Sequence, residues 1–247
     1  MNVLITGGSR GIGRATALLA GSRGWNVGIN YATNASAAES AIADVQKAGG
    51  KAIAIKGDVT NEKDVIQLFD AMENAFGPTN GVVINAGVTA QSMALADMTV
   101  ERLRLVFDTN VLGAYLCARE AARRLPGASK EDCYSSIVLV SSAAARLGSP
   151  NEFVDYAGSK GAIDTLNVGL SKELGPKHVR VNAVRPGIID TEIHASAGDP
   201  DRLGRLGKQT PLGRPGGADE VAEAIVWLLS PASSYVTGTN IDVTGGR

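Results

Sequence analysis

Val3-Leu4-Ile5-Thr6-Gly7-Gly8-Ser9-Arg10-Gly11-Ile12-Gly13 runs from a short apolar strand pattern, through a turn on Gly7, Gly11 and Gly13, into a segment that reads as a helix from about Ile12 to Ser22. Glycines let the backbone turn sharply and approach an anion, and a helix N-terminus presents unpaired N–H groups with partial positive charge. The stretch therefore predicts a pyrophosphate cradle directly after the first strand. Its spacing is Gly-x-x-x-Gly-x-Gly rather than the dinucleotide fingerprint Gly-x-Gly-x-x-Gly. Gly8 and Gly13 also have P-loop spacing, but Arg14-Ala15 stands where Lys and Ser or Thr are needed for phosphate and magnesium. Nucleotide hydrolysis is disfavoured.

Further short apolar runs follow at Val27–Ile29, Ala52–Ile55, Val82–Ile84, Ile137–Val140, Val179–Val184 and Ile241–Val243. With Val3–Ile5 they make seven strands, apolar on both faces rather than alternating, as in a parallel sheet covered by helices on each side. The intervening segments carry helical patterns. Val65, Leu68, Phe69, Met72 and Phe76 repeat at helical spacing after the N-cap candidates Thr60-Asn61, and Gly77-Pro78 ends the run. Ser36 to Ala48 behaves likewise, with Ile42 and Val45 inward and Gly49-Gly50 as its stop. Strand and helix alternate from end to end, so the expected fold is α/β, a single-domain doubly wound Rossmann-like sheet over residues 1–247. One stretch breaks the rhythm. Residues 190–215 hold few large apolar side chains and several Gly and Pro, and they follow a strand end, where open α/β sheets bind ligands; they are expected to form a substrate lid.

The bulk numbers narrow the partners. The chain has 247 residues, 44% hydrophobic and 20% charged, with net charge −1, which suits ordinary soluble protein and one large core. Near-neutral charge argues against a nucleic-acid or anionic-membrane partner, and no apolar run approaches the ~18 residues needed to cross a bilayer. The partners expected are small molecules and sister subunits. Two cysteines, Cys117 and Cys133, without zinc-type spacing and with no leader pattern after Met1, point to a reducing cytoplasm. Cys117 reads as core filler. No ligand cluster suggests a metal.

The chemistry is expected at Tyr156 and Lys160, four residues apart in Asp155-Tyr-Ala-Gly-Ser-Lys-Gly, with Ser141-Ser142 at the end of an upstream strand. Reducing a ketone with a hydride needs a proton donor at the oxygen, and a free tyrosine with pKa of about 10 is poorly poised for the reverse direction. Lys160, one helical turn on, is a cation within reach; lowering the phenol by about 3 units corresponds to roughly 4 kcal/mol. Tyr156 is then the acid/base, and Ser142 hydrogen-bonds the substrate oxygen. Neighbours on a strand point to opposite faces, so only one of Ser141 and Ser142 can face the cleft. A serine hydrolase is disfavoured because no Gly-x-Ser-x-Gly elbow exists and His178 and His194 are the only histidines. Cofactor choice falls on the end of the second strand. Asn30-Tyr31-Ala32-Thr33 offers no carboxylate to repel a 2′-phosphate, and Arg10 carries a planar fork suited to one, so NADP(H) is expected over NAD(H).

These residues together resemble the short-chain dehydrogenase/reductase family over nearly the whole chain: Thr6-Gly7-x-x-x-Gly11-x-Gly13, Asp58-Val59, Asn85-Ala86-Gly87, Asn110, Ser142, Tyr156-x-x-x-Lys160, Pro186-Gly187 and Thr191. The chain is similar to 3-oxoacyl-carrier-protein reductase and glucose 1-dehydrogenase-like members. The resemblance implies that Asp58 and Val59 contact adenine, Asn85-Ala86-Gly87 lines the cofactor cleft, and Thr191 reaches the pyrophosphate or carboxamide. It implies that Lys160 also binds the nicotinamide ribose and that Asn110 holds a water in a proton relay. Ser9, Ile12, Tyr31, Pro186, Gly187 and Ile189 complete the implied cofactor set. Ala32 stands where many NADP-using relatives place Arg, Ile84 replaces a common Asn, and the stretch from serine to tyrosine is one residue longer than in some relatives. The implied activity is an NADP(H)-dependent oxidoreductase on CH–OH groups (EC 1.1.1.-), moving a hydride between nicotinamide and a small-molecule carbonyl or secondary alcohol. A catalytically silent NADP-sensing or scaffold protein is the alternative. The family also implies a homotetramer, or homodimer, built on the helices spanning 110–124 and 156–174 and on the C-terminal strand.

Overall fold

The central strands form where both faces can be buried. In the computed structural model, which describes residues 1–127, 135–192 and 202–247, the strands are β1 (Asn2–Ile5), β2 (Asn26–Tyr31), β3 (Lys51–Lys56), β4 (Gly81–Ile84), β5 (Ser136–Val140), β6 (Arg180–Pro186) and β7 (Asn240–Val243). They pair in the order β3-β2-β1-β4-β5-β6-β7, and every pairing is parallel. The expected doubly wound sheet is the observed one. β6 runs two residues past its predicted end because Arg185 and Pro186 pair with Asp242 and Val243.

Alternate side chains feed two cores, one on each face of the sheet. Leu4, Val82, Ile84, Ile137, Leu139 and Val181 pack with Leu68, Phe69, Met72, Cys117 and Ile163. Val3, Ile5, Val27, Val83, Val138 and Val184 pack with Ala17, Ala20, Val45, Val221 and Ile225. The helices are α1 (Gly11–Ser22), α2 (Ala35–Lys47), α3 (Glu62–Phe76), α4 (Val100–Phe107), α5 (Ala114–Arg124), α6 (Ala144–Leu147), α7 (Val154–Leu174), α8 (Arg202–Gly207) and α9 (Ala218–Leu229). Thus α3, α5 and α7 cover one face, and α1, α2 and α9 the other. Each fully buried Leu, Phe or Met contributes about 1.5–3 kcal/mol.

Side-chain caps start several of these helices: Asn34 accepts from Ala37 N, Asn61 from Lys63 and Asp64 N, and Thr99 from Arg102 N. At the other end of α9 the buried Arg180 guanidinium donates to the carbonyls of Leu228, Leu229 and Ser230 and to Ser233 Oγ. It satisfies groups that a helix C-terminus leaves over. Cys117 lies in the core, and burial pushes its thiol up to about 12, so it packs as a small hydrophobe. Cys133 lies outside the described residues.

α1, which follows β1, lies on one face, and α5, which leads from β4 into β5, lies on the other, although β1 and β4 are neighbours. A crevice opens at the carboxyl ends where the winding reverses. It faces the glycine turn.

Candidate active site and cofactor cleft

The glycine turn is held from beneath by side chains of its neighbours. Gly7 adopts φ +61, and a Cβ on Gly13 would lie 2.5 Å from Gly7 O and 2.6 Å from Asn85 Nδ2, so no side chain fits there. Asn30 Oδ1 accepts Gly7 N–H at 3.1 Å, while its amide donates to Gly57 O at 2.9 Å. Thr6 Oγ1 accepts the N–H groups of Asn85 and Ala86, both at 3.0 Å, and Asn85 Nδ2 donates to Thr6 O and Gly7 O. The Asn85 amide therefore supports the turn. Asn30, noted in the sequence only for lacking a charge, is a buried staple joining β1, β2 and β3; a lone polar side chain closing the apolar run Val27–Ile29 was its signal.

Above the turn, α1 begins after an extended Arg10 with no side-chain cap and no acidic residue in its first turn. The first turn of α1 thus keeps its N–H groups uncapped, the feature by which helix N-termini receive anions. Thr191 Cγ2 and Glu192 Oε2 come within 3.4 and 3.6 Å of where a Gly11 Cβ would stand, so Thr191 covers the turn and a carboxylate already lies near the helix N-terminus. Ser9 is buried, Ile12 partly buried and Arg10 exposed. Tyr31, partly exposed, ends β2. Asp58 is exposed and accepts from Thr60 N and Oγ1, both at 2.9 Å, while Val59 is buried against Gly113. At the far wall Gly187 N donates to Val243 O at 2.9 Å, following buried Pro186. Ile189 pairs with Gly216 in a parallel bridge. That bridge ties the ends of the expected lid together. Its middle, including His194, lies outside the described residues.

The end of β5 and the start of α7 bring the remaining candidates together. Tyr156 shares a hydrogen bond with the Ser142 hydroxyl, and Ser142 Oγ accepts Ala144 N–H at 3.1 Å. Ser141 points the other way, its hydroxyl donating to Lys160 O at 3.1 Å. Lys160 Nζ donates to Val140 O at 2.7 Å and stands 5.6 Å from the Tyr156 ring centroid. Gly87 marks the convergence: a Cβ there would lie 3.3 Å from Asn110 Oδ1 and 3.4 Å from Lys160 Nζ.

Asn110 sits in a π-helical turn, Asp108–Gly113, a local widening common at functional sites. Its Oδ1 accepts Val88 N at 2.8 Å, and its amide donates to Val88 O and Ser159 Oγ. Both amide hydrogens are thus committed to protein partners; one acceptor site on Oδ1 is left.

Burial pushes the Tyr156 phenol up from its ordinary range, opposed by the Ser142 hydrogen bond. The Lys160 ammonium is held by the Val140 carbonyl. Burial in turn pulls Lys160 down to about 8, with Asp164 opposing.

Among the described residues no group of acidic, His or Cys side chains could hold a metal ion, and no helix is long and apolar enough to cross a membrane.

A family model described as Enoyl-(Acyl carrier protein) reductase matches residues 7–247. The chain is 49% identical over 244 residues to an uncharacterized oxidoreductase, YgfF, of Escherichia coli (strain K12), covering 99% of this chain and 98% of that one. It is 35% identical over 244 residues to a 3-oxoacyl-[acyl-carrier-protein] reductase of Synechocystis sp., covering 98% and 95%. A short chain dehydrogenase from Burkholderia cenocepacia J2315, solved in complex with NADP, superposes with a TM-score of 0.90 at 30% identity, covering 99% of this chain and 96% of the other. With this fold, and with Ser142, Tyr156 and Lys160 gathered at the crevice beside the glycine turn, the chain belongs to the short-chain dehydrogenase/reductase family of oxidoreductases acting on CH–OH groups.

Proposed function

We propose that the protein is an NADP(H)-dependent oxidoreductase for a small-molecule carbonyl or secondary alcohol, with Tyr156 as acid/base, Ser142 holding the substrate oxygen, and Lys160 and Asn110 in support. The observation that carries this reading is the hydroxyl contact of Ser142 with Tyr156 beside the Lys160 ammonium. The uncapped start of α1 over a turn that admits no side chain at Gly13 fits a pyrophosphate, with Thr191 above Gly11. Arg10, exposed at the mouth, and the absence of a carboxylate from Tyr31 to Thr33 favour a 2′-phosphate, hence NADP(H) over NAD(H). The related structure with NADP supports the same choice. Ser9, Ile12, Asp58, Val59, Ala86, Pro186, Gly187 and Ile189 complete the proposed cofactor cleft, with residues 190–215 as its lid.

When bound, the nicotinamide supplies or accepts the hydride. The protein's own task is the proton. Ser142 Oγ accepts Ala144 N–H, and its hydroxyl hydrogen, which serves the Tyr156 oxygen, is the donor for a carbonyl oxygen placed between the two side chains. Tyr156 gives its proton to that oxygen in reduction and takes it back in oxidation; burial keeps the phenol protonated at neutral pH, the form reduction needs. The Lys160 ammonium stabilises the charge left on the phenol oxygen.

Exposed Leu105, Phe107, Leu112 and Tyr115 from α4 into α5, with Val168 on α7, favour burial against further copies. We take the assembly as a homotetramer, with a homodimer the smaller alternative, in the cytoplasm. A monomer by light scattering would remove it. NADPH oxidation against a panel of ketones, aldehydes and sugars tests the function: turnover with NADPH preferred over NADH is expected. Tight NADPH binding without turnover on any member would favour the silent, sensing alternative.

A further inference from the structure

Asp155, the residue before Tyr156, has a fully buried side chain, and both of its carboxylate oxygens are taken by one partner. Arg102 Nε donates to Oδ2 at 2.8 Å and Nη2 to Oδ1 at 3.2 Å, while Nη1 donates to the Gln91 carbonyl. Arg102 is itself only 8% exposed. Burying two charges costs several kcal/mol per ion, so such a pair is a weak source of stability. What a two-pronged guanidinium contact provides is orientation, because its planar fork accepts a carboxylate in one arrangement.

Three pieces of the cleft meet at this contact. Arg102 lies on α4, which runs straight into the π-helical turn that carries Asn110. Gln91 belongs to the loop that follows Asn85-Ala86-Gly87, and Met93 N in the same loop donates to Glu152 O at 3.1 Å. Asp155 lies in the first turn of α7. That helix start has no side-chain cap at Phe153, and the preceding loop contains the left-handed residues Ser149 (φ 43) and Asn151 (φ 60). Local sequence alone therefore holds the beginning of α7 weakly.

We infer that Arg102 and Asp155 are positioning residues: their ion pair fixes the first turn of α7, and with it the Tyr156 hydroxyl, against Ser142 and the Gln91 loop. The inference rests on Tyr156 being the proton donor. A displacement of about 1 Å in a reacting group can cost about 100-fold in rate, so a small tilt of this turn is enough to matter.

The test compares wild type with Arg102→Met/Asp155→Leu, which replaces the pair by apolar side chains, with Asp155→Asn, which keeps the carboxylate's shape, and with Arg102→Lys. Readouts are NADPH affinity by fluorescence titration, kcat and KM for a carbonyl substrate, and the 13Cζ-tyrosine NMR line of Tyr156, identified by its loss in Tyr156→Phe. The double variant is expected to keep NADPH affinity within about twofold, lose kcat by about tenfold or more, and shift the Tyr156 line. Arg102→Lys should recover only part of kcat, since an ammonium cannot engage both oxygens in a fixed plane. Asp155→Asn should shift the line in the same direction, and gives the comparison should the double variant not fold. Unchanged kcat with an unmoved Tyr156 line, in the double variant or in Asp155→Asn, overturns the inference. Wild-type protein with no turnover of any carbonyl would instead sink the proton-donor assignment, and the NMR line would still report the positioning.

Discussion

The Ser142 hydroxyl serves the Tyr156 oxygen, and Ser142 Oγ also accepts the N–H of Ala144, so the serine proton lies on the Tyr156 side. Ser141, one residue back, is turned into α7 and bonded to the Lys160 carbonyl. Ser142→Ala should therefore lower kcat/KM by about 100-fold or more, the loss typical of a donor to a developing oxyanion. Ser141→Ala should leave turnover near wild type and cost about 0.5–1.5 kcal/mol in denaturant unfolding. Steady-state kinetics of the two variants side by side decides between the serines, and the reverse ranking would overturn the assignment.

Tyr156→Phe removes one oxygen and no packing. NADPH affinity should be unchanged within error, while turnover falls about 100- to 10,000-fold, the range contributed by a positioned acid or base. Near-normal turnover would remove Tyr156 from the mechanism.

The sheet was legible because its central strands are buried on both faces, so β1, β2, β4 and β5 appear as apolar runs closed by turn signals. The site was legible in part. Helical spacing puts Lys160 beside Tyr156, but it does not say which acceptor the ammonium takes, and the Val140 carbonyl competes successfully. The same both-face burial that reveals β5 hides which of Ser141 and Ser142 faces the cleft. Arg102 and Asp155 are 53 residues apart, a separation with no local spacing signature, so their pairing emerges only from the fold. Asn30 at the end of β2 is absorbed by the turn, which only the third dimension shows.

The proton balance at Lys160 gives a pH dependence with a definite sign. In the free protein burial pulls its ammonium down to about 8, with Asp164 opposing. Its other near neighbours are the Val140 carbonyl, Asn110 and the Tyr156 ring. The group is charged below that value and neutral above it, so kcat/KM for NADPH, which reports the free enzyme, should fall as pH rises through about 8. Asp164→Asn removes the influence that raises Lys160 and should move this limb to lower pH. Stability follows the opposite sense: as pH rises above about 8 the buried amine loses its proton before the unfolded chain does, so this group's contribution becomes more favourable. A limb that stays in place in Asp164→Asn would separate the profile from Lys160.

Arg10 is expected to set cofactor preference, because Arg14, the other arginine at this corner, is occupied by Asp44 and Ser40. A charge-assisted hydrogen bond is worth about 1.5–3 kcal/mol, so Arg10→Ala should weaken NADPH about 10- to 150-fold and leave NADH nearly unchanged. Titration of both cofactors on both proteins measures this. Equal losses for the two would assign Arg10 to the turn rather than to a 2′-phosphate.

Asn30 joins stability to cofactor binding in one side chain. Its oxygen takes the N–H of Gly7, and its amide holds the Gly57 carbonyl and, at 3.3 Å, the Ile55 carbonyl. Asn30→Ala strands these buried groups at a cost of about 1–3 kcal/mol, visible in urea unfolding. It also frees Gly7 to leave φ +61, the conformation that places the turn beneath the start of α1. NADPH affinity should therefore fall although Asn30 is buried and distant from solvent. Asn30→Asp keeps the acceptor for Gly7 but replaces the donor to Gly57, so it should preserve more cofactor affinity than Asn30→Ala while adding a buried charge that lowers stability further. Loss of stability with unchanged NADPH affinity in both variants would show that the turn keeps its shape without this staple.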